Sequence, residues 1–278
     1  MTASSPALEP ASIPTVILAG GKAKPDMLAL TGQTNRALAT VNGKTLLRHV
    51  VDAILTADIE GGPLGPITVI GDLPDDAAYF RLPDSGDFVS NIMAGLNAYR
   101  DAPYVLVSTA DLPFLTGAAV QTFVHDAYQL AERSGAGLIY PIVPLSVCYA
   151  CFPGIRRTAL RLRDGEFTGG NLVLVRPQFL LSHSARIATA YAARKSPVQL
   201  ARMLGLGTLG RVVVSQKVSP KLLSVSFLET RVSALLGGPC RALSCESAAI
   251  ATDLDRPSDF EAIAMMQAAG ATGRSPLQ

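Results

Sequence analysis

The stretch TVILAGGKAKPDML, residues 15–28, decides how this chain is read. Val16, Ile17 and Leu18 form an apolar run that fits a buried strand, and the run stops at the pair Gly20 and Gly21. Lys22 and Lys24 follow at once. Strand, bare backbone and positive charge meet at one junction. In an α/β sheet, ligands sit beyond the carboxyl ends of the strands, where loops expose N–H groups. Glycine lets such a loop approach a phosphate closely. The junction has neither common phosphate-loop spacing. It does not run G-x-G-x-x-G, and VNGKT at 41–45 has a P-loop tail but no glycine five residues before Gly43. A tight turn with two solvated lysines and a nucleotide cradle both remain open on these residues.

Outward from the junction, β-type runs alternate with helical patterns, as expected of a sheet with crossover helices. GKTLLRHVVDAILTA places Leu46, Leu47, Val50, Val51, Ile54 and Leu55 on one helical face. PITVIG reads as a strand, SNIMAGLNAYR as a helix, and YVLVSTADLP as a strand ending in an acid and a proline. A helix with Thr116 as its N-cap follows. GAGLIYPIVPLSVCYACF reads as strand, broken by Pro141 and Pro144, and GGNLVLVRP as another strand. Residues 178–236 read as a helical insertion around the apolar run RVVVS. CRALSC and AAIATDLD return to strand, and PSDFEAIAMMQAAG closes with a helix. The expected organisation is a flexible tail at 1–14, one domain at 15–268 and a flexible tail at 269–278.

Composition narrows the function. Hydrophobic residues make up 49% of 278, enough for a packed core. A net charge of +2 makes no case for a nucleic-acid binder. No apolar run approaches the ~20 residues of a membrane span, and the N-terminus lacks the order of a secretory signal. A soluble cytoplasmic protein is expected, and a homo-oligomer is compatible with this. Cys148 and Cys151 have C-x-x-C spacing, but Cys240 and Cys245 do not complete a zinc set. As strand residues, Cys148 and Cys151 would face opposite ways, like small buried hydrophobes.

Three segments occur in one order: LAGG…NRALATVNGKTLLRHVVDAI, then VLVSTADLP, then DLDRPSDF. Together they resemble the MobA-like NTP transferases, nucleotidyltransferases of the glycosyltransferase-A-like fold. The resemblance implies a Rossmann-like, three-layer α/β fold with a mixed central sheet. It also implies Mg²⁺-dependent transfer of a nucleoside monophosphate from an NTP to a phosphorylated small molecule, with release of pyrophosphate. Leu18, Ala19, Gly20 and Gly21 would then wrap base and triphosphate with backbone groups. The family's arginine after the glycines is missing from KAKPDM, where Lys22 or Lys24 would supply its charge. The family's lysine is replaced in NRAL by Arg36, which forks onto phosphate but is not a lysine in geometry. Asp111 would be the primary metal ligand, as Mg²⁺ takes one or two carboxylates plus phosphates and water. Asp255 would be the second, with Asp253 in reserve; read as strand, the two point the same way. Asp255 equally suits a cap for the helix at Pro257.

Ser90 and Asn91 match the segment that contacts the base, with N-capping as the competing role. Gly71 and Asp72 end a strand near the same pocket. Arg156, Arg157, Arg161 and Arg163 precede TGGN, where Thr168, Gly169, Gly170 and Asn171 would hold an anionic acceptor. If that tract is helical, Arg157 and Arg161 share a face; a solvated charge run is the plainer reading. Arg194 and Lys195 would add charge from the insertion. Two rivals stand beside this reading. One is a nucleotide-sugar-dependent glycosyltransferase, against which TADLP offers one acid rather than D-x-D. The other is a nucleotide-binding protein without catalysis, which the KAKPDM and NRAL departures would suit.

Overall fold

The computed structural model describes residues 13–59, 62–193, 207, 210 and 222–271. Among them nine strands form one mixed sheet: β1 Thr15–Leu18, β2 Ile67–Ile70, β3 Phe80–Leu82, β4 Val105–Thr109, β5 Leu138–Pro144, β6 Leu160–Leu162, β7 Gly165–Gly169, β8 Leu172–Val175 and β9 Cys240–Ser244. β3, β2, β1 and β4 lie side by side in parallel. β8 joins antiparallel to β4, and β5 runs antiparallel to β8 and β7. β9 lies parallel to β5, and β6 hairpins onto β7.

Period-two alternation sorts the strand residues into two cores. Ile17, Val69 and Leu106 face one side, under α2 (Leu46–Leu55) and α4 (Gly117–Ser134). Val16, Ile70, Val105 and Val107 face the other, under α3 (Phe88–Ala98) and α6 (Pro177–Ser182). Strands covered on both faces read as continuous apolar runs, which is why TVIL and ITVI stand out. α2, α3 and α4 begin where side chains can take orphan N–H groups, whereas α1 (Pro25–Thr31) begins on a proline, which has no N–H to satisfy. Thr45 accepts from Arg48, and Thr116 accepts from Ala119 as expected. Gly95 lets α3 close onto β1, because a Cβ there would lie 2.5 Å from Val16 Cγ1.

Several expectations need correction. LSVCYAC is not strand but α5, Leu145–Cys151. Leu145, Cys148 and Phe152 are buried at spacings of three and four, a helical period that the apolar run concealed. Pro141 does not break β5. It falls opposite an interruption between β7 and β8: Gly169 faces Ile142 while Leu174 faces Ile139, so five steps on one side match three on the other. This bulge at Gly170–Asn171 sends its N–H groups to Pro141 O and Ile250 O. The arginine tract is not helical, since Arg161 lies in the β6–β7 hairpin. AAIATDLD is a short 3₁₀ turn, Ala248–Ala251, followed by irregular chain, so the alternation argued for Asp253 and Asp255 does not apply.

Within the insertion, α7 (Ser184–Ala193) and α8 (Val225–Leu236) are helical, while RVVVS, Arg194 and Lys195 lie outside the described residues. Before β1, Ile13 is buried and its carbonyl accepts from Gly65; residues 1–12 are not described. The last helix, α9, runs Pro257–Ala271.

Candidate active site

The glycine junction is held in place by the backbone of the two residues before it. Leu18 O accepts the Ala110 N–H, Ala19 N–H donates to Ile70 O, and Ala19 O accepts from Asn35 Nδ2 at 2.8 Å. Leu18 and Ala19 were expected to wrap a nucleotide with backbone groups; these three bonds tie them to Ala110, to β2 and to the Asn35 side chain. The exposed turn is left to Gly20, Gly21 and Lys22. Gly21 O accepts from the Arg36 N–H, and Lys22 bridges to Asn35. A Cβ on Gly20 would lie 2.7 Å from Asp84 Oδ1 and 2.9 Å from Asn91 Nδ2, so a larger residue here would have to displace the Asp84–Asn91 pair. Gly71 closes from the β2 side, its missing Cβ 2.7 Å from Ala19 O.

Asn91 is buried beneath this turn, donating to Asp84 and accepting from Ser85 N–H. Asn91 and the Gly86 N–H hold the Asp84 carboxyl below its usual range. Sequence reasoning overlooked Asp84, although LPDSGD signals a polar turn. Ser90 does not cap α3: Asp87 does, taking both the Ser90 N–H and its hydroxyl.

Asp111 lies two residues past the end of β4 and is buried. Thr109 Oγ1 donates to its Oδ1 at 2.6 Å, and Arg36 meets its Oδ2 at 2.7 Å. The other arm of Arg36 pairs with Asp255, and Lys24 Nζ lies 3.1 Å from the same carboxylate. Leu254 N–H donates to Asp111 O, drawing the 252–255 loop against β4. Asp259 explains why Asp255 is available. Its carboxylate reaches back to the N–H groups of Asp255 and Arg256, so Asp255 does not cap α9. Asp253 completes the cluster. Burial pushes its carboxyl up, and the Asp111 carboxylate adds to the shift while Arg36 opposes it.

On the far side of the acids, Asn171 projects from the bulge toward Asp253, at 3.4 Å. Gly170 packs under the 3₁₀ turn, where a Cβ would lie 2.7 Å from Ile250 Cγ2. Thr168 is buried in β7, and Gly169 lies against the Tyr140 hydroxyl. Arg157 is not open to solvent charge: it donates to Ala251 O and to Thr252 Oγ1. Arg161 pairs with Glu166 across the hairpin. The two arginines thus lie apart, one on the acidic loop and one on an exposed strand. A cavity of about 830 Å³ opens here, bordered by Asp253, Asp255, Asn171 and Thr168 and reaching to α8.

Cys148 and Cys151 lie one helical turn apart on α5, all four cysteines are free, and burial pushes Cys240 to about 11 and Cys245 to about 12. A G-x-G-x-x-G spacing does occur at 205–210, away from the junction; Gly207 and Gly210 are helical, and the rest of it is not described.

The order of glycine junction and buried acid agrees with a match of residues 15–170 to the MobA-like NTP transferase domain. The chain belongs to the MobA-like NTP transferase family. It is a nucleotidyltransferase with the glycosyltransferase-A-like fold. As a MobA-like NTP transferase it is similar to a hypothetical transferase from Thermus thermophilus, at 31% identity and a TM-score of 0.77, over 89% of this chain and 99% of that one. Two more distant structures share its fold. One is the 2-C-methyl-D-erythritol 4-phosphate cytidylyltransferase of Thermus thermophilus, with 17% identity, TM-score 0.50 and 91% and 98% of the two chains covered. The other is a CMP:2-keto-3-deoxy-manno-octonic acid synthetase complexed with CTP, with 12% identity, TM-score 0.52 and 93% and 98% covered. No curated protein matches the chain. No helix among the described residues is long and apolar enough to cross a membrane.

Proposed function

We propose that this MobA-like enzyme transfers a nucleoside monophosphate from an NTP to a phosphorylated small molecule. The observation that carries this reading is the position of Asp111, Asp253 and Asp255 between the Gly20–Gly21 turn and the cavity. The turn and its lysines serve the NTP, and the cavity serves the acceptor. An acceptor oxygen forms a bond to the α-phosphorus as the bond from that phosphorus to the bridging α,β oxygen breaks. Pyrophosphate leaves with the electron pair. A phosphate acceptor already ionised at neutral pH brings no proton to remove.

Such transfer is mostly positioning and charge neutralisation. Lys22, Lys24 and Arg36 supply positive charge on the NTP side. Arg36 also holds Asp111 and Asp255 in a fixed relation, through a fork that suits two carboxylates. Mg²⁺ fits the donor set. Asp253 faces Asp111 at an electrostatic penalty that a cation would reverse, and each Asp111 oxygen engages one protein donor, leaving lone pairs over. Among the described residues no group of three acidic, His or Cys ligands is poised for a metal, and Mg²⁺ needs no more than two. Asp111 and Asp253 would hold it, with Asp255 beside them, and it would neutralise phosphate charge.

The test is pyrophosphate release from each NTP with Mg²⁺ and a panel of phosphate monoesters. CTP is tried first, since the two distant neighbours are cytidylyl enzymes by name. Asp111→Asn keeps the hydrogen bond from Thr109 but loses the charge, and should lower turnover by at least about a hundredfold. Turnover within a fewfold of the parent would refute the assignment. NTP binding with no release on any acceptor would instead identify a binding protein without catalysis.

A further inference from the structure

The cavity beside the acids is unlike a pocket for a compact sugar phosphate. Its floor is the sheet, with Ile142, Leu162 and Phe167, and its opposite wall is α8. Leu228, Val232 and Leu236 recur every fourth residue on α8 and all line the cavity. A stripe of that kind normally packs into a core. Here no residue of α8 is buried. The helix is instead held off by polar anchors. Val225 N–H donates to Asp164 at the β6–β7 turn, and Glu229 accepts the Ala242 N–H of β9 at 2.7 Å. Two apolar surfaces therefore face each other across open space. The volume of about 830 Å³ lies in the upper part of the range for small-molecule clefts. Asn171 and Asp253 line the same cavity, so it is continuous with the reaction site.

We propose that the acceptor is an amphiphile. Its polar head, which carries the nucleophilic oxygen, lies at Asn171 and Asp253, and an apolar body of alkyl or isoprenoid type fills the space between the sheet and α8. This rests on the nucleotidyl-transfer reading for the occupant's role, while its chemistry comes from the cavity walls. Binding of ethyl, hexyl and decyl phosphate to the full chain in Mg²⁺ buffer, below their micelle concentrations, is the direct test by calorimetry. The dissociation constant should fall roughly three- to fourfold per added methylene until the cavity is filled. Leu228→Gln with Val232→Gln should flatten that dependence and leave NTP affinity unchanged; neither side chain is buried, so folding is not at stake. The chain has no tryptophan, so Val232→Trp gives a single reporter whose emission should shift to the blue with decyl but not ethyl phosphate. Equal affinities across the series, or an unchanged slope in the glutamine variant, would overturn the proposal. A clear slope with no NTP turnover on any acceptor would leave the apolar ligand class standing and remove transfer. Pyrophosphate release as fast with ethyl as with decyl phosphate would do the reverse.

Discussion

Arg36 is the residue on which the site turns. Sequence alone points it at a triphosphate, because NRAL stands where the family has its lysine. In the fold its guanidinium bridges Asp111 and Asp255 from a position only 27% exposed. A lysine is a compact point charge and does not present this fork. Removing Arg36 leaves a buried carboxylate without its cation, so Arg36→Ala should destabilise the protein by about 1–3 kcal/mol in urea titration. The two members of the pair should be coupled. Arg36→Ala with Asp111→Asn should lose less than the sum of the single changes, by about 0.5–3 kcal/mol. Strict additivity would mean that the pair contributes nothing. Asp111 was legible as an acid ending a buried strand. Its more distant partners were not, since Asp253 and Arg36 converge on it through loop contacts that no periodicity encodes.

At the scale of elements, legibility followed burial. β1, β2, β4, α2 and α4 were readable because each is covered along its length, so period and cap stand out together. α5 was misread because a short apolar run fits strand and helix alike, and Pro144 looked like the interruption of a strand rather than the start of a helix. The β6–β7 hairpin was hidden by its charges, whose partners lie across strands rather than along a helix. The cysteines test these placements. With thiols at about 11 for Cys240 and about 12 for Cys245, native protein at pH 8 should label slowly with iodoacetamide at both. Thiolate grows as pH rises, so labelling should accelerate about tenfold per pH unit until the thiol is half ionised. In urea all four should react. Fast native labelling of Cys245 at pH 8 would contradict its burial in the core.

For the molecule as a whole, the family match ends at residue 170 but the fold does not. β9 returns after the insertion to lie along β5, and Ile250 and Leu254, both buried, carry the acidic loop into the main core. A fragment ending at residue 177 would leave β5 with a bare edge and a core without these side chains. It should show no cooperative unfolding transition and should be cut quickly by protease. A cooperative transition in that fragment would divide the chain into two units. The bulge at Gly170–Asn171 has a further meaning for inheritance. The strand on one side of it is stitched to β6, beside the cavity, and the strand on the other is stitched to β4, beside the buried acid. Along the chain, the Gly20–Gly21 turn and Asp111 come before this seam, while Asp253, Asp255 and α8 come after it. Recombination between relatives with a crossover here would divide both the acids and the cavity walls, so descendants must inherit the two halves as a matched pair.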